Sequence, residues 1–243
     1  KCFQELKYMK KLFSILQPLI TTLFIFIACA LYGLSLAPSI ILFNYVVKSI
    51  DFNSSIFLNA LCLGATLSLC FFIFGISLLF IVGIIFRLLP IKPKSGIYLI
   101  GSMQTIKWGL CGAFLKLVNV AFLNMITPSF LNIMYFRLVG AKIGKNVQIN
   151  SISINDPWLL EVGDNTVIGG SASINCHTVE RGKLILEKVK IGKNCTIGAQ
   201  SLIWPGCVIG DSSVLSTKSV LKKRTKVGEK QIWKGNPAQN VRI

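Results

Sequence analysis

Two long apolar runs open the chain, and a six-residue rhythm closes it. From Leu12 to Val47, and again from Ile56 to Ile85, no charged residue occurs. Each run exceeds the ~20 residues that carry a helix across the hydrocarbon core of a bilayer. Pro18 and Pro38 are expected to bend or end the first helix, which places its spanning part near 19–45. A short polar link, 48–55, joins the runs, so residues 1–95 read as a transmembrane helical hairpin. A third uncharged stretch, Leu117–Phe136, is interrupted by Asn119, Asn124, Thr127, Pro128 and Asn132. That polarity suits interfacial or re-entrant amphipathic helices over 96–140, with Trp108 at the headgroups, better than a third crossing.

The C-terminal part follows another period. Ile191, Ile197, Ile203, Ile209, Leu215, Leu221 and Val227 recur every six residues, often followed by a glycine, with Cys, Ser or Thr four positions on. A period of six fits neither a helix at 3.6 nor a strand at 2. It fits a triangular coil whose short flat sides each point one aliphatic residue inward, with a corner at the next position. The small residue after the corner then fits a narrow interior, and coils stack through parallel backbone hydrogen bonds. The fold expected for 141–243 is a left-handed parallel β-helix of about five coils.

The same phase begins at Ile143 and Ile149, and Val162, Ile168 and Ile174 run one residue late. Counted in sixes, the frame slips forward near Asp156-Pro157-Trp158 and back within His177–Lys190, the two slips cancelling between 143 and 191. Loops leave a regular solenoid at such faults, and loops often carry function.

Charge sharpens the division. Residues 1–140 hold eleven of the 26 Lys/Arg and only two of the nine acids, Glu5 and Asp51. Lysines 1, 7, 10 and 11 precede the first span and Arg87, Lys92 and Lys94 follow the second. The positive-inside rule therefore puts both ends, and the β-helix, on the cytoplasmic side of a membrane, a bacterial inner membrane being expected. A net charge of +17 points to anionic partners such as a lipid leaflet or nucleotide phosphates. Nucleic acid is not expected, since the cations are dispersed and no aromatic-basic platform accompanies them. The eight cysteines form no CxxC pair and read as reduced, buried, small apolar residues.

Chemistry narrows to one imidazole. His177 is the only histidine, and it lies in the second fault. Acyl transfer to a hydroxyl or amine needs a base for the acceptor's proton, and a carboxylate beside that base can fix its tautomer. Glu180 is the nearest carboxylate in sequence; Glu161 and Asp156 could reach it from the coil below. One histidine excludes a three-histidine zinc site, and no Rossmann-like half supports nucleotidyl transfer.

The hexapeptide run, the lone histidine and the ending Trp233-Lys-Gly-Asn-Pro-Ala-Gln-Asn-Val-Arg242 together resemble the hexapeptide-repeat acyltransferases. Phe136-Arg-Leu-Val-Gly-Ala-Lys-Ile-Gly144, Asp156-Pro157 and His177-x-x-Glu180-x-Gly182 are similar to the membrane-bound C-terminal region of poly-lysine-synthetase-type nonribosomal peptide synthetases. The resemblance implies an acyl-CoA donor, acetyl-CoA first, with no metal. It implies His177 as the acceptor-activating base, for which Glu180 is the nearest carboxylate. It also implies that Ala199 and Thr217 flank the pantetheine arm, while Lys222, Lys223 and Arg242 serve the CoA phosphates. In this family the site forms between neighbouring β-helices, which implies a homotrimer or a pseudo-trimer of tandem β-helices. Two alternatives remain open at this level: a peptide-bond-forming domain that uses carrier-bound thioesters, and a non-catalytic scaffold.

Overall fold

The computed structural model describes residues 2–50 and 55–241, with side chains from residue 17 onward. Residues 51–54 of the polar link and the two C-terminal residues lie outside this description. The chain divides into two compact units, 1–81 and 82–243.

Helix α1 (Cys2–Ser49) and helix α2 (Ile56–Leu88) carry the apolar runs. Of the bend or end expected at Pro18 and Pro38, the end does not occur: α1 runs through both prolines. Each proline removes one backbone donor, and the apolar sequence around it sustains the helix on both sides. In the first unit Ser39 Oγ donates to the Cys70 carbonyl at 2.7 Å, which satisfies a buried hydroxyl. Among the described residues, three helical segments are long and apolar enough to cross a membrane: Gln17–Ser49, Ile56–Leu88 and Met103–Ile126.

In the second unit the repeat builds three parallel sheets that share one interior. Face one stacks Lys142–Ile143, Leu160–Val162, Val189–Ile191, Val208–Ile209 and Lys226–Val227. Face two stacks Gln148–Ile149, Val167–Ile168, Thr196–Ile197, Val214–Leu215 and Ile232–Gly235. Face three stacks Ile154–Asn155, Ser173–Asn175, Leu202–Ile203 and Val220–Leu221. This is the left-handed parallel β-helix expected from the period. The inward residues form columns such as Ile154, Ile174, Ile203 and Leu221, all buried. Burying each of these side chains contributes about 1.5–3 kcal/mol.

The corners differ from the sequence reading in an instructive way. The backbone enters the left-handed region three positions after the inward residue, not one. Asn146, Asn165, Ser171, Asn194, Gln200, Ser212, Lys218, Arg224 and Lys230 all have φ between 53° and 60°, and Gly206 takes the equivalent place at 77°. The glycine directly after the inward residue serves close approach instead. A Cβ on Gly198 would lie 2.3 Å from the Thr217 nitrogen, and one on Gly169 would lie 2.6 Å from that of Ala199. There Gly198 N donates to the Leu215 carbonyl at 2.7 Å, drawing the next coil in. Gly198→Ala should therefore destabilise the solenoid by about 1–3 kcal/mol through overpacking. Gly109→Ala, in a helix with nothing within 4 Å of the added atom, should not. Paired unfolding midpoints followed by circular dichroism test this difference.

Four positions after the inward residue, the small side chains are buried as expected: Thr166, Ala172, Cys195, Ser201, Cys207, Ser213 and Ser219. Their polar atoms bond to backbone carbonyls, as in Thr166 Oγ1 to Gly192 at 2.7 Å and Ser213 Oγ to Gly228 at 2.6 Å. Burial pushes the Cys207 thiol up to about 11, so it remains a neutral donor to the Lys222 carbonyl.

The two faults lie on one edge, between faces three and one. The step from Ile154 to Val162 is eight residues and holds a 3-10 turn, Pro157–Leu159. The step from Ile174 to Ile191 is seventeen, one side plus eleven inserted residues. The insertion is an antiparallel hairpin, His177–Glu180 with Lys183–Leu186, closed by Arg181 and Gly182 at φ 48° and 74°. Two central residues at positive φ mark a tight hairpin turn. The apparent cancellation over 48 residues is therefore not eight regular sides: it is six sides plus the inserted residues.

Residues 96–140 need a correction as well. Gly96–Leu99 is a strand, paired antiparallel with Lys183–Leu186, so the inserted hairpin becomes a three-stranded sheet. Helix α3 (Met103–Val118) follows, extended by a π-helical turn, Asn119–Leu123, and a last α turn, Asn124–Ile126. Ser129, in a capping box with Asn132, then starts α4 (Phe130–Leu138). Buried Asn132 donates to the Ile149 carbonyl at 2.8 Å, which ties α4 to the first coil. Phe86, from the end of α2, stacks near Phe114 of α3 and Trp158 of the 3-10 turn, with ring centroids 6.4 and 6.0 Å away. These helices close the N-terminal end of the solenoid.

Candidate active site

The sheet register brings the two faults together. Asn155 and Asn175 are partners across the first two coils, so the residues that follow them, Asp156 and the Cys176-His177 pair, neighbour one another. Asp156 takes a left-handed conformation at φ 58° as the chain turns into Pro157. Its carboxylate is 4% exposed. His177 Nδ1 lies 2.6 Å from Asp156 Oδ2, and the Trp108 indole N–H donates to Oδ1 at 2.9 Å. A buried carboxylate requires such partners, because an unpaired charge there would cost several kcal/mol.

The Trp108 ring meets the imidazole edge-on, at 4.8 Å and 64°. Trp108, expected at the headgroups from its sequence context, is packed against the site residues Asp156 and His177. With Nδ1–H on the carboxylate, Nε2 carries the lone pair, and 27% of the His177 side chain is open to solvent. An imidazole held this way can take a proton at Nε2 while the carboxylate stabilises the cation that forms.

Glu180 is placed elsewhere. Its carboxylate accepts from Thr178 Oγ1 at 3.1 Å and pairs closely with Lys223 Nζ. His177 therefore meets Asp156 and not Glu180, because along the strand His177–Glu180 the carboxylate comes three residues later, at the hairpin tip. An exposed pair of this kind contributes little to stability. Glu180→Gln is expected to leave turnover at this site within about threefold of wild type, measured on the purified variant beside wild type. Glu161 is engaged on face one by Lys142 at 3.2 Å, with Lys188 and Lys190 further out. Burial alone would raise its carboxyl, but the Lys142 hydrogen bond and the neighbouring lysines hold it below the usual range.

The remaining predicted residues occupy two margins of face three. Lys222 and Lys223 follow Leu221 on the edge that carries His177, and both are exposed. Ala199 and Thr217 stack at the opposite margin, between faces two and three, where Lys218 N donates to the Ala199 carbonyl at 2.9 Å. Within one chain the structure does not bring these two groups into one cluster. Arg242 lies outside the described residues. The Gly235-Asn-Pro-Ala238 turn closes a terminal antiparallel pair, Ile232–Gly235 with Ala238–Val241, and Gly235 N is held by Ser219 Oγ at 3.0 Å.

Sequence reasoning from types and spacing missed Trp108 as a site residue. A buried indole needs one acceptor, but nothing in the sequence says which.

Comparison with known proteins agrees with this architecture. A family model for the bacterial transferase hexapeptide, spanning six repeats, matches residues 188–223. WcaF of Escherichia coli, named as an acetyltransferase of colanic acid biosynthesis, is 31% identical over 131 residues, which cover 44% of this chain and 71% of that protein. Galactoside O-acetyltransferase of E. coli is 33% identical over 89 residues, 33% of this chain and 44% of that protein. Delta-poly-L-ornithine synthetase of Acinetobacter baumannii is 27% identical over 155 residues, which cover 64% of this chain but span only 11% of that protein's length. The chain belongs to the hexapeptide-repeat acyltransferases.

Proposed function

We propose that this protein is a membrane-anchored acyltransferase that moves an acetyl group from acetyl-CoA to a hydroxyl or amine acceptor. The observation that carries this reading is the Asp156-backed imidazole of His177, whose side chain stays 27% open to solvent. Nε2 takes the acceptor's proton as its oxygen or nitrogen attacks the thioester carbonyl. The carbonyl becomes a tetrahedral oxyanion, which backbone N–H groups can stabilise. Collapse breaks the C–S bond, and the imidazolium returns the proton to the leaving thiolate as CoA-SH. The acetyl group is taken from the names of the related acetyltransferases, and CoA as its carrier is what the family resemblance implies.

Assembly as a trimer would complete the site. Faces two and three present mostly neutral side chains outward, including Val167, Thr196, Val214, Leu202 and Val220. Face one presents Lys142, Glu161, Lys190 and Lys226. Docking through the neutral faces brings Ala199 and Thr217 of one copy toward the His177 edge of the next. Lys222, Lys223 and Arg242 then supply positive charge for the CoA phosphates.

The hairpin of α1 and α2 anchors the enzyme, with the solenoid on the cytoplasmic side, where flanking Arg87, Lys92 and Lys94 lie. The α3 segment is apolar enough to cross, but Cys111, Phe114, Leu115, Val118, Phe122 and Leu123 bury one side of it within the solenoid unit. Met103, Ile106, Val120 and Met125 remain exposed. A helix committed on one side to a water-exposed domain lies on a bilayer surface rather than through it.

A second reading rests on the synthetase relative, whose match is the longest of the three. The same base would serve amide formation from a carrier-bound thioester. The test is free-thiol release from acetyl-CoA by the full chain purified in detergent, with a panel of hydroxyl and amine acceptors. Turnover above the His177→Ala background supports acyl-CoA transfer. Turnover with a pantetheine-carrier thioester alone moves the assignment to the second reading, and none with either donor overturns both.

A further inference from the structure

The carboxylate that meets His177 has a second partner from outside the solenoid. We propose that Trp108 is a positioning residue: its indole N–H holds the Asp156 carboxylate in the orientation that presents an oxygen to Nδ1, and so holds His177 in the Nδ1–H tautomer. This inference deepens the acyl-transfer reading and rests on it for its kinetic consequences, though not for its structural ones.

The geometry is specific. Trp108 stands on α3, while Asp156 and His177 stand on the first two coils, so three separate segments meet at one carboxylate. An indole nitrogen can only donate, so the oxygen opposite it must accept. Oδ1 is occupied at 2.9 Å, which leaves Oδ2 for Nδ1–H at 2.6 Å. The ring of Trp108 also lies against the imidazole at 4.8 Å and limits its rotation. Without the indole donor, a 4%-exposed carboxylate would keep one oxygen unsatisfied and could rotate about its terminal torsion. Nδ1 would then lose its fixed acceptor and the proton would redistribute toward Nε2, which silences the base.

The same logic predicts a reversal of sign. In Asp156→Asn the indole forces the amide oxygen toward Trp108, so the amide NH2 faces Nδ1 and the imidazole proton must sit on Nε2. Trp108→Phe removes that constraint, and the amide can turn its oxygen to Nδ1–H. The phenylalanine substitution is thus harmful with Asp156 present and beneficial with asparagine there. A residue that merely filled space would not change sign.

Because His177 is the only histidine, nitrogen-15 labelling of histidine in the full chain gives one imidazole whose two nitrogen shifts report the tautomer without assignment. The wild type is expected to show the Nδ1–H form. Trp108→Phe should shift the population toward Nε2–H and lower kcat about tenfold with little change in KM. Asp156→Asn should show Nε2–H only, and the double variant should recover Nδ1–H and exceed Asp156→Asn in turnover. Trp108→Phe with the wild-type tautomer, or a double variant still locked in the Nε2–H form, overturns the proposal. A wild type without acetyl transfer overturns the acyl-transfer reading instead, and the tautomer measurement still decides the role of Trp108.

Discussion

His177→Ala is expected to lower acetyl transfer by roughly 10²–10⁴-fold, the usual contribution of a positioned general base, while the solenoid stays folded. The side chain is outside the inward columns, so its loss opens no cavity among Ile154, Ile174 and Ile203. What it leaves behind is Asp156 with one partner in place of two, a cost of about 1–3 kcal/mol for a buried acceptor. The KM for acetyl-CoA should change little, because a general base acts on the acceptor's proton in the transition state and not on binding of the donor. Thiol release from acetyl-CoA by matched amounts of folded protein measures the ratio, with circular dichroism as the check on folding. Full activity in the variant would overturn His177 as the base.

The fold was legible because the period of six is a geometric requirement repeated many times. Each inward Ile or Leu, each buried Cys, Ser or Thr and each close-approach glycine repeats the same constraint, so one error in reading does not disturb the rest. The location of the corner was misread for a physical reason. Glycine suggests positive φ, yet Gly198 is there because a Cβ would strike the next coil, while Lys218 and Arg224 bear the left-handed backbone. Nothing about a lysine announces that.

The site was half legible. His177 stood out by being alone, and the faults in the repeat led to the edge where it meets Asp156. The partner of the imidazole could not be chosen by sequence distance. Glu180 is three residues away but points to Lys223, while Asp156 is twenty-one away and lies beneath. Parallel stacking makes residues one coil apart closer than residues along one strand. Trp108 was out of reach for a related reason: it arrives from a helix whose docking no repeat encodes.

Asp156→Asn is the sharper test of the site, because it should separate activity from stability. The amide matches the carboxylate in size, keeps the acceptor for the Trp108 indole, and can donate from its NH2 to Nδ1. Both native contacts therefore survive in altered form, and removing a buried charge offsets what is lost in strength. The unfolding midpoint should move little. Turnover should fall roughly 10²–10⁴-fold, since an imidazole that accepts at Nδ1 holds its proton on Nε2 and cannot take another from the acceptor. Set beside Glu180→Gln, the variant identifies which carboxylate orients the base. A large loss at Asp156 with little at Glu180 matches the geometry. The opposite order would mean that the hairpin tip reaches the imidazole during turnover and that the Asp156 contact is structural.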